Sequence, residues 1–233
     1  MIVIRDSHSR GRVVLDWLKS LHSFSFGNYY DPNHMGFKNL RVINEDVIKP
    51  GKGFSSHSHK NMEIITYIIK GSVEHKDSLG NLTVIKEGEI QCMSAGTGVT
   101  HSEYNGSQED ILHLLQIWIL PNQAGLTPSY QQRSANFINN TNNLNLLISP
   151  TAEQESLLIH QDVKLYLGKL EPTEQISFEL QSGRDGWLQM ITGDLLLNGI
   201  ALKAGDGTAI SQEKHLVIEA GKEKAEFLLF DLN

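Results

Sequence analysis

Residues 62–93 read Met62-Glu-Ile-Ile-Thr-Tyr-Ile-Ile-Lys-Gly-Ser-Val-Glu-His-Lys-Asp-Ser-Leu-Gly-Asn-Leu-Thr-Val-Ile-Lys-Glu-Gly-Glu-Ile-Gln-Cys-Met93. Short apolar runs over 62–69, 72–76, 82–86 and 89–93 are parted by Gly71, Ser78-Leu-Gly-Asn81 and Gly88. Brief β-branched runs between turn formers predict strands, and Ser78-Leu-Gly-Asn81 predicts a hairpin tip. Working outward, 40–48 and 111–120 show the same character, and no long amphipathic helix is predicted between 40 and 120. Residues 12–21 fit a short helix or an extended arm. Many short antiparallel strands specify an all-β sandwich or barrel.

Pro121, Pro128 and the Asn-rich run from Asn136 to Asn143 break the pattern over 121–144, which is expected to connect two domains. Strands resume at 145–149, 156–160, 163–170, 174–181, 186–192, 194–198 and 225–231. The halves align: Ile68-Ile-Lys-Gly71-Ser-Val with Met190-Ile-Thr-Gly193-Asp-Leu, and Lys86-Glu-Gly88-Glu-Ile with Lys203-Ala-Gly205-Asp-Gly. Two copies of one β-barrel are therefore expected, one over 1–130 and one over 131–233.

The chain has 233 residues, 39% of them hydrophobic and 20% charged, an ordinary globular balance. With 20 Lys and Arg against 27 Asp and Glu it carries a net charge of -7. Such a surface repels a phosphate backbone, so direct nucleic-acid binding is not expected. No run is long and apolar enough for a membrane helix, and Met1–Ser7 lacks the charged-then-apolar layout of a signal peptide. Cys92 is the only cysteine, which excludes a disulfide framework and a thiolate zinc site. A cytoplasmic protein is expected.

Of ten histidines, eight precede residue 114. In Gly51-Lys-Gly-Phe-Ser-Ser-His57-Ser-His59-Lys-Asn-Met-Glu63, side chains two apart on a strand share a face, so His57 and His59 can converge on one ion. Thr100-His101-Ser102-Glu103 repeats that geometry. Three imidazoles and a carboxylate form a mixed N/O site suited to Fe, Mn, Ni, Cu or Zn. Without thiolates such a site suits an open, catalytic role.

Gly51-x5-His57-x-His59-x3-Glu63-x7-Gly71 and Gly98-x2-His101-x3-Asn105 resemble the two cupin motifs. More narrowly, His57-Ser-His-Lys-Asn-Met-Glu63, Met93-Ser-Ala-Gly-Thr-Gly-Val-Thr-His-Ser-Glu-Tyr-Asn105, Ser23-Phe-Ser-Phe-Gly-Asn-Tyr-Tyr-Asp-Pro32 and Leu40-Arg-Val-Ile-Asn-Glu-Asp46 resemble the pirin family. The match runs from about residue 15 to 120. The resemblance implies a bicupin, two antiparallel jelly-roll barrels, with one divalent ion in the N-terminal copy, Fe(II) favoured over Mn, Ni, Cu or Zn. It also implies either of two functions. One is a quercetin 2,3-dioxygenase that cleaves a flavonol with O2 and releases CO. The other is a pirin-type regulatory protein that modulates a transcription factor or metabolic enzyme by direct contact. A monomer is favoured.

The usual first-motif glutamate follows His-x-His after four residues, whereas Glu63 follows after three. A one-residue shift turns a side chain to the other face. The expected ligands are therefore His57, His59, His101 and Glu103, the pirin arrangement, with Glu103 also the expected proton acceptor. Glu63 is left as a residue supporting the ligands or a surface group. Counting back from Gly193 places Glu179 and Gln181 where His57 and His59 stand, and His215 lies alone near the counterpart of His101, so the C-terminal copy is expected to hold no metal. His113 is expected to be a core histidine rather than a pocket residue, His75 part of a polar hairpin, and Cys92 a small core residue. Phe24, Phe26, Tyr29, Tyr30 and Phe37 either wall a flat aromatic substrate or plug the barrel end.

Overall fold

The computed structural model describes residues 1–135 and 144–233. Its described residues divide into two compact units, 11–135 with 157–161, and 1–10 with 144–156 and 162–233. Each unit thus takes a piece of chain from beyond a simple cut after residue 130. The N-terminal strand Ile2–Arg5 pairs antiparallel with Gly207–Ile210, Ile2 lying opposite Ile210. The strand Ser129–Ser134, inside the expected connection, pairs with Glu89–Ser94. The Asn-rich run of that connection lies outside the described residues.

The metal-motif unit is built from two antiparallel sheets. The larger runs Ser129–Ser134, Glu89–Ser94, Glu63–Lys70, Leu112–Ile119, Leu40–Ile48, Leu18–His22 and Gly11–Val14 in spatial order. The smaller runs Gly53–His59, Val99–Asn105, Ser72–Asp77 and Leu82–Lys86. Ile48, Ile68, Leu112 and Leu114 of the larger sheet pack against Val73 and Ile85 of the smaller. This is a jelly-roll-like sandwich rather than a closed barrel. Residues 12–21 are extended, forming a hairpin in which Arg12 lies opposite Leu21. The apolar spacing there was undecided, and the ladder to Leu40–Ile48 settles it.

The other unit repeats the plan. Its larger sheet orders Ile2–Arg5, Gly207–Ile210, Asp185–Thr192, Ala225–Leu232, Val163–Leu170 and Leu144–Ser149, and its smaller one Gln175–Glu179, His215–Ala220, Asp194–Leu197 and Ile200–Lys203. The aligned glycines have a shared physical cause. Gly71 and Gly193 sit at φ 85° and 74°, where the chain turns from the larger to the smaller sheet. A Cβ at either would press on a backbone carbonyl, that of Ile111 or of Lys224. The expected strand at 156–160 shrinks to Leu157–Leu158.

In the strand Val163–Leu170, Gly168 lies opposite Phe227, whose ring folds over its bare Cα. A methyl group there would clash with a fully buried ring. Gly168→Ala is therefore expected to destabilise the protein by about 1–3 kcal/mol, the usual penalty of overpacking, read as a lowered urea midpoint at unchanged slope.

Candidate metal centre

The site grows out of the register between two strands of the smaller sheet. His101 lies opposite His57, and Val99 opposite His59. A bulge then intervenes: Ser55 and Ser56 face the single residue Ser102, and Glu103 pairs with Phe54. Bulges re-aim side chains next to functional sites. His57, His59, His101 and Glu103 all reach one pocket, whose walls include Phe54, Ile64, Gln116, Trp118, Asn44, Asp46 and Phe26. The space in and at the mouth of this pocket is about 360 Å3, open solvent included.

One ring nitrogen from each of His57, His59 and His101 lies within 4.8 Å of the other two. His57 Nε2 and His101 Nε2 approach to 3.1 Å. Two nitrogens bound at right angles to one ion at ~2.1 Å would lie ~3 Å apart, so the spacing fits a shared cation. His57 Nδ1 donates to the Ser55 carbonyl at 2.7 Å, which leaves Nε2 with its lone pair exposed to an ion. Burial, aided by neighbouring His57, pulls His59 down to about 4. Burial together with His57, His59 and His75 pulls His101 down to about 3. Both are thus neutral at physiological pH, the form that ligates metal. The donor set suits a divalent transition-metal ion.

Glu103 is buried and held from the larger sheet. Its Oε2 accepts from Gln116 Nε2 at 2.8 Å and its Oε1 from the Thr66 hydroxyl at 3.2 Å. Burial raises its carboxyl to about 7, against the pull of Thr66 and Gln116 and with a push from Asp46. Asp46, also buried, is raised to about 6, chiefly by burial and against a hydrogen bond from Ser20.

Glu63 is not a surface group. It starts its strand on the face opposite Ile64 and Thr66, is fully buried, and accepts from Ser94 Oγ at 2.8 Å and from the His160 backbone N–H at 3.3 Å. The one-residue shortening of the motif accounts for this. His75 departs from its expected place in a polar hairpin. It alternates with Val73 and Asp77 on the inner face, is fully buried, and lies 3.0 Å from Asp77 Oδ2 through Nε2. Opposite Glu103 in the ladder, it groups with His101 and Glu103 as a second set of ligand-type atoms. Period-two alternation with Val73 was the signal that could have found it.

His113 lies outside the pocket, half-buried, with Nε2 2.9 Å from Glu45 Oε1. Cys92 is a buried core residue whose thiol burial raises well above its usual value, with Glu63 adding to the effect. The aromatic segment divides its labour. Phe26 walls the pocket against Trp118, ring centroids 5.2 Å apart, and Trp118 in turn meets His59 at 4.8 Å. Phe24 is core, Tyr29 covers Gly11, and Tyr30 is exposed. In the other unit Glu179 and His215 are register partners, as His57 and His101 are, and lie exposed with His215 Nδ1 3.2 Å from Glu179 Oε1. Among the described residues, no group of potential metal ligands occurs in that unit, and no helix is long and apolar enough to cross a membrane.

Comparison with known proteins agrees with this geometry. The sequence profile of the pirin family matches residues 3–119, and that of the quercetinase C-terminal cupin domain matches residues 146–232. Quercetin 2,3-dioxygenase of Escherichia coli K12 is 47% identical over 232 residues, covering 100% of this chain and 99% of that protein. The crystal structure of YhhW from Escherichia coli superposes with a TM-score of 0.96 at 47% identity, covering 100% of this chain and 98% of that one. The structure of bacterial pirin YhhW in complex with nickel(II) gives 0.94 at 47% identity, covering 100% and 99%. With both cupin halves matched and the histidine pocket on the N-terminal one, the chain is a member of the pirin family.

Proposed function

We propose that the protein is a metal-dependent flavonol dioxygenase, cleaving quercetin or a related enol at the 2,3 position with O2 and releasing CO. The observation that carries this reading is a pocket that sets three imidazoles and a buried carboxylate beside an aromatic wall. The name of the Escherichia coli relative supports the same reaction. We assign His57, His59, His101 and Glu103 as the ligands of one divalent ion, Fe(II) being favoured and Mn, Ni, Cu or Zn also compatible with the donors. Such an ion supplies Lewis acidity to an enolic hydroxyl and a reaction centre for O2.

The chain's own residues do the rest. Phe26 and Trp118 present ring faces and edges to a flat polyphenol, which suits offset or edge-on aromatic contact. Glu103 accepts the substrate's hydroxyl proton at a carboxylate oxygen, for which its raised proton affinity is suited. Gln116 and Thr66 hold that carboxylate in place. The apolar wall of Phe54 and Ile64 keeps water from the deprotonated enol.

Two outcomes are expected. Protein loaded in turn with Fe(II), Mn(II), Ni(II), Cu(II) or Zn(II) releases stoichiometric CO from quercetin under air with at least one metal, and His101→Ala abolishes it. Metal binding without CO for any ion would overturn the dioxygenase in favour of a regulatory binding protein, whose partner a pull-down would capture. Phe26→Ala is expected to raise KM for quercetin about tenfold with kcat changed less than about threefold, since an aromatic wall contributes uniform binding.

A further inference from the structure

Thr66 is the sole hydroxyl-bearing aliphatic in Ile64-Ile-Thr-Tyr-Ile-Ile69, an otherwise apolar strand. It is fully buried, directly opposite Gln116 in the ladder. Its Oγ1 lies 3.2 Å from Glu103 Oε1 and also 3.2 Å from Gln116 Oε1. A hydroxyl carries one proton, so it can serve only one of these acceptors at a time. Gln116 Nε2 meanwhile donates to the other oxygen of the carboxylate, Glu103 Oε2, at 2.8 Å. The triangle spans the sandwich, with Glu103 on the smaller sheet and its two partners on the larger.

We propose that Thr66 and Gln116 are positioning residues for Glu103, and that the Thr66 O–H is a toggle between Glu103 Oε1 and Gln116 Oε1. The inference rests on the assignment of Glu103 as a metal ligand and goes beyond it. With its O–H on Glu103, Thr66 favours the observed carboxylate position, bonded to Thr66 and Gln116 and near His101 but outside the group of three imidazoles. When Oε1 turns toward the imidazoles, the O–H rotates to Gln116 Oε1 and no buried donor is left unpaired. Without that second acceptor, the movement would strand a buried hydroxyl, a penalised state. The arrangement lets one carboxylate alternate between ligand and proton acceptor at little energetic expense, while Nε2 of Gln116 keeps it tethered.

The test uses Co(II) as a spectroscopic probe in the full-length chain, so it does not depend on turnover. Thr66→Val removes the donor that holds Glu103 outside the group of three imidazoles. It is expected to tighten Co(II) binding about fivefold, the equilibrium worth of one hydrogen bond, and to shift the visible Co(II) absorption. Thr66→Ser, which keeps the hydroxyl, is expected to restore the parent affinity and spectrum. Gln116→Met removes the second acceptor and is expected to weaken Co(II) binding, opposite in sign to Thr66→Val. The proposal is overturned if Thr66→Val matches the parent in both readouts, if Thr66→Ser behaves as Thr66→Val does, or if the Val and Met variants shift affinity in the same direction. A parent chain that takes up no Co(II) would overturn the ligand assignment and the toggle with it. Co(II) uptake with the expected variant pattern but no CO from quercetin would sink the dioxygenase reading alone.

Discussion

The site depends on one backbone constraint, the antiparallel pairing of Gly53–His59 with Val99–Asn105. Hydrogen-bonded register puts His101 across from His57, and the two-residue period puts His59 and Glu103 on the same inner face. The bulge between His101 and Glu103 lets side chains from both strands reach one pocket, the three imidazoles grouped together and Glu103 beside His101 and His75. Slipping either strand by one residue would turn these side chains to the other face of the sheet. The pairing is in turn held by the apolar core that the two sheets share, from Ile48 and Ile68 to Val73 and Ile85.

That core carries an unusual polar load. His75, Asp77, His101, Glu103, Asp46 and Asn44 are all buried. Buried polar groups are tolerable when they find partners, and several here do so in chains: Asp77 to His75, Glu103 to Gln116 and Thr66, Asp46 to Ser20, while Asn44 Oδ1, His75 Nδ1 and His101 Nδ1 are buried without a hydrogen bond among the described residues. The desolvation that raises Glu103 also lowers His59 and His101. One dry environment thus produces neutral imidazoles and a carboxylate ready for a proton.

The second unit is a control supplied by the molecule itself. Its smaller sheet has the strand order of the first, and the same register brings Glu179 opposite His215. The pair is exposed, and the interior between its sheets is filled by Leu188, Met190, Leu195, Leu197, Leu216 and Ile218. Backbone geometry alone therefore does not gather three imidazoles. The side chains at the register positions and the space above them do.

Much was legible in the residues. The all-β class followed from short β-branched runs between glycines, and the repeat from Gly71 and Gly193, because both need a left-handed backbone at the same turn. That His57 shares a face with His59, and His101 with Glu103, was readable because a period of two is local: it needs no knowledge of what lies across the sheet. Three things were not local. His75 joins the cluster through pairing with a strand distant in sequence, and Thr66 meets Gln116 across its own ladder and Glu103 only where the two sheets face each other. The exchange of 1–10 and 157–161 between the units was likewise invisible, since nothing in a strand's own composition names its partner. Sequence by itself determined which face each side chain takes along its own strand. Tertiary structure decided which faces meet, and so which buried groups share protons, because that depends on register and sheet packing between segments the chain separates by tens of residues.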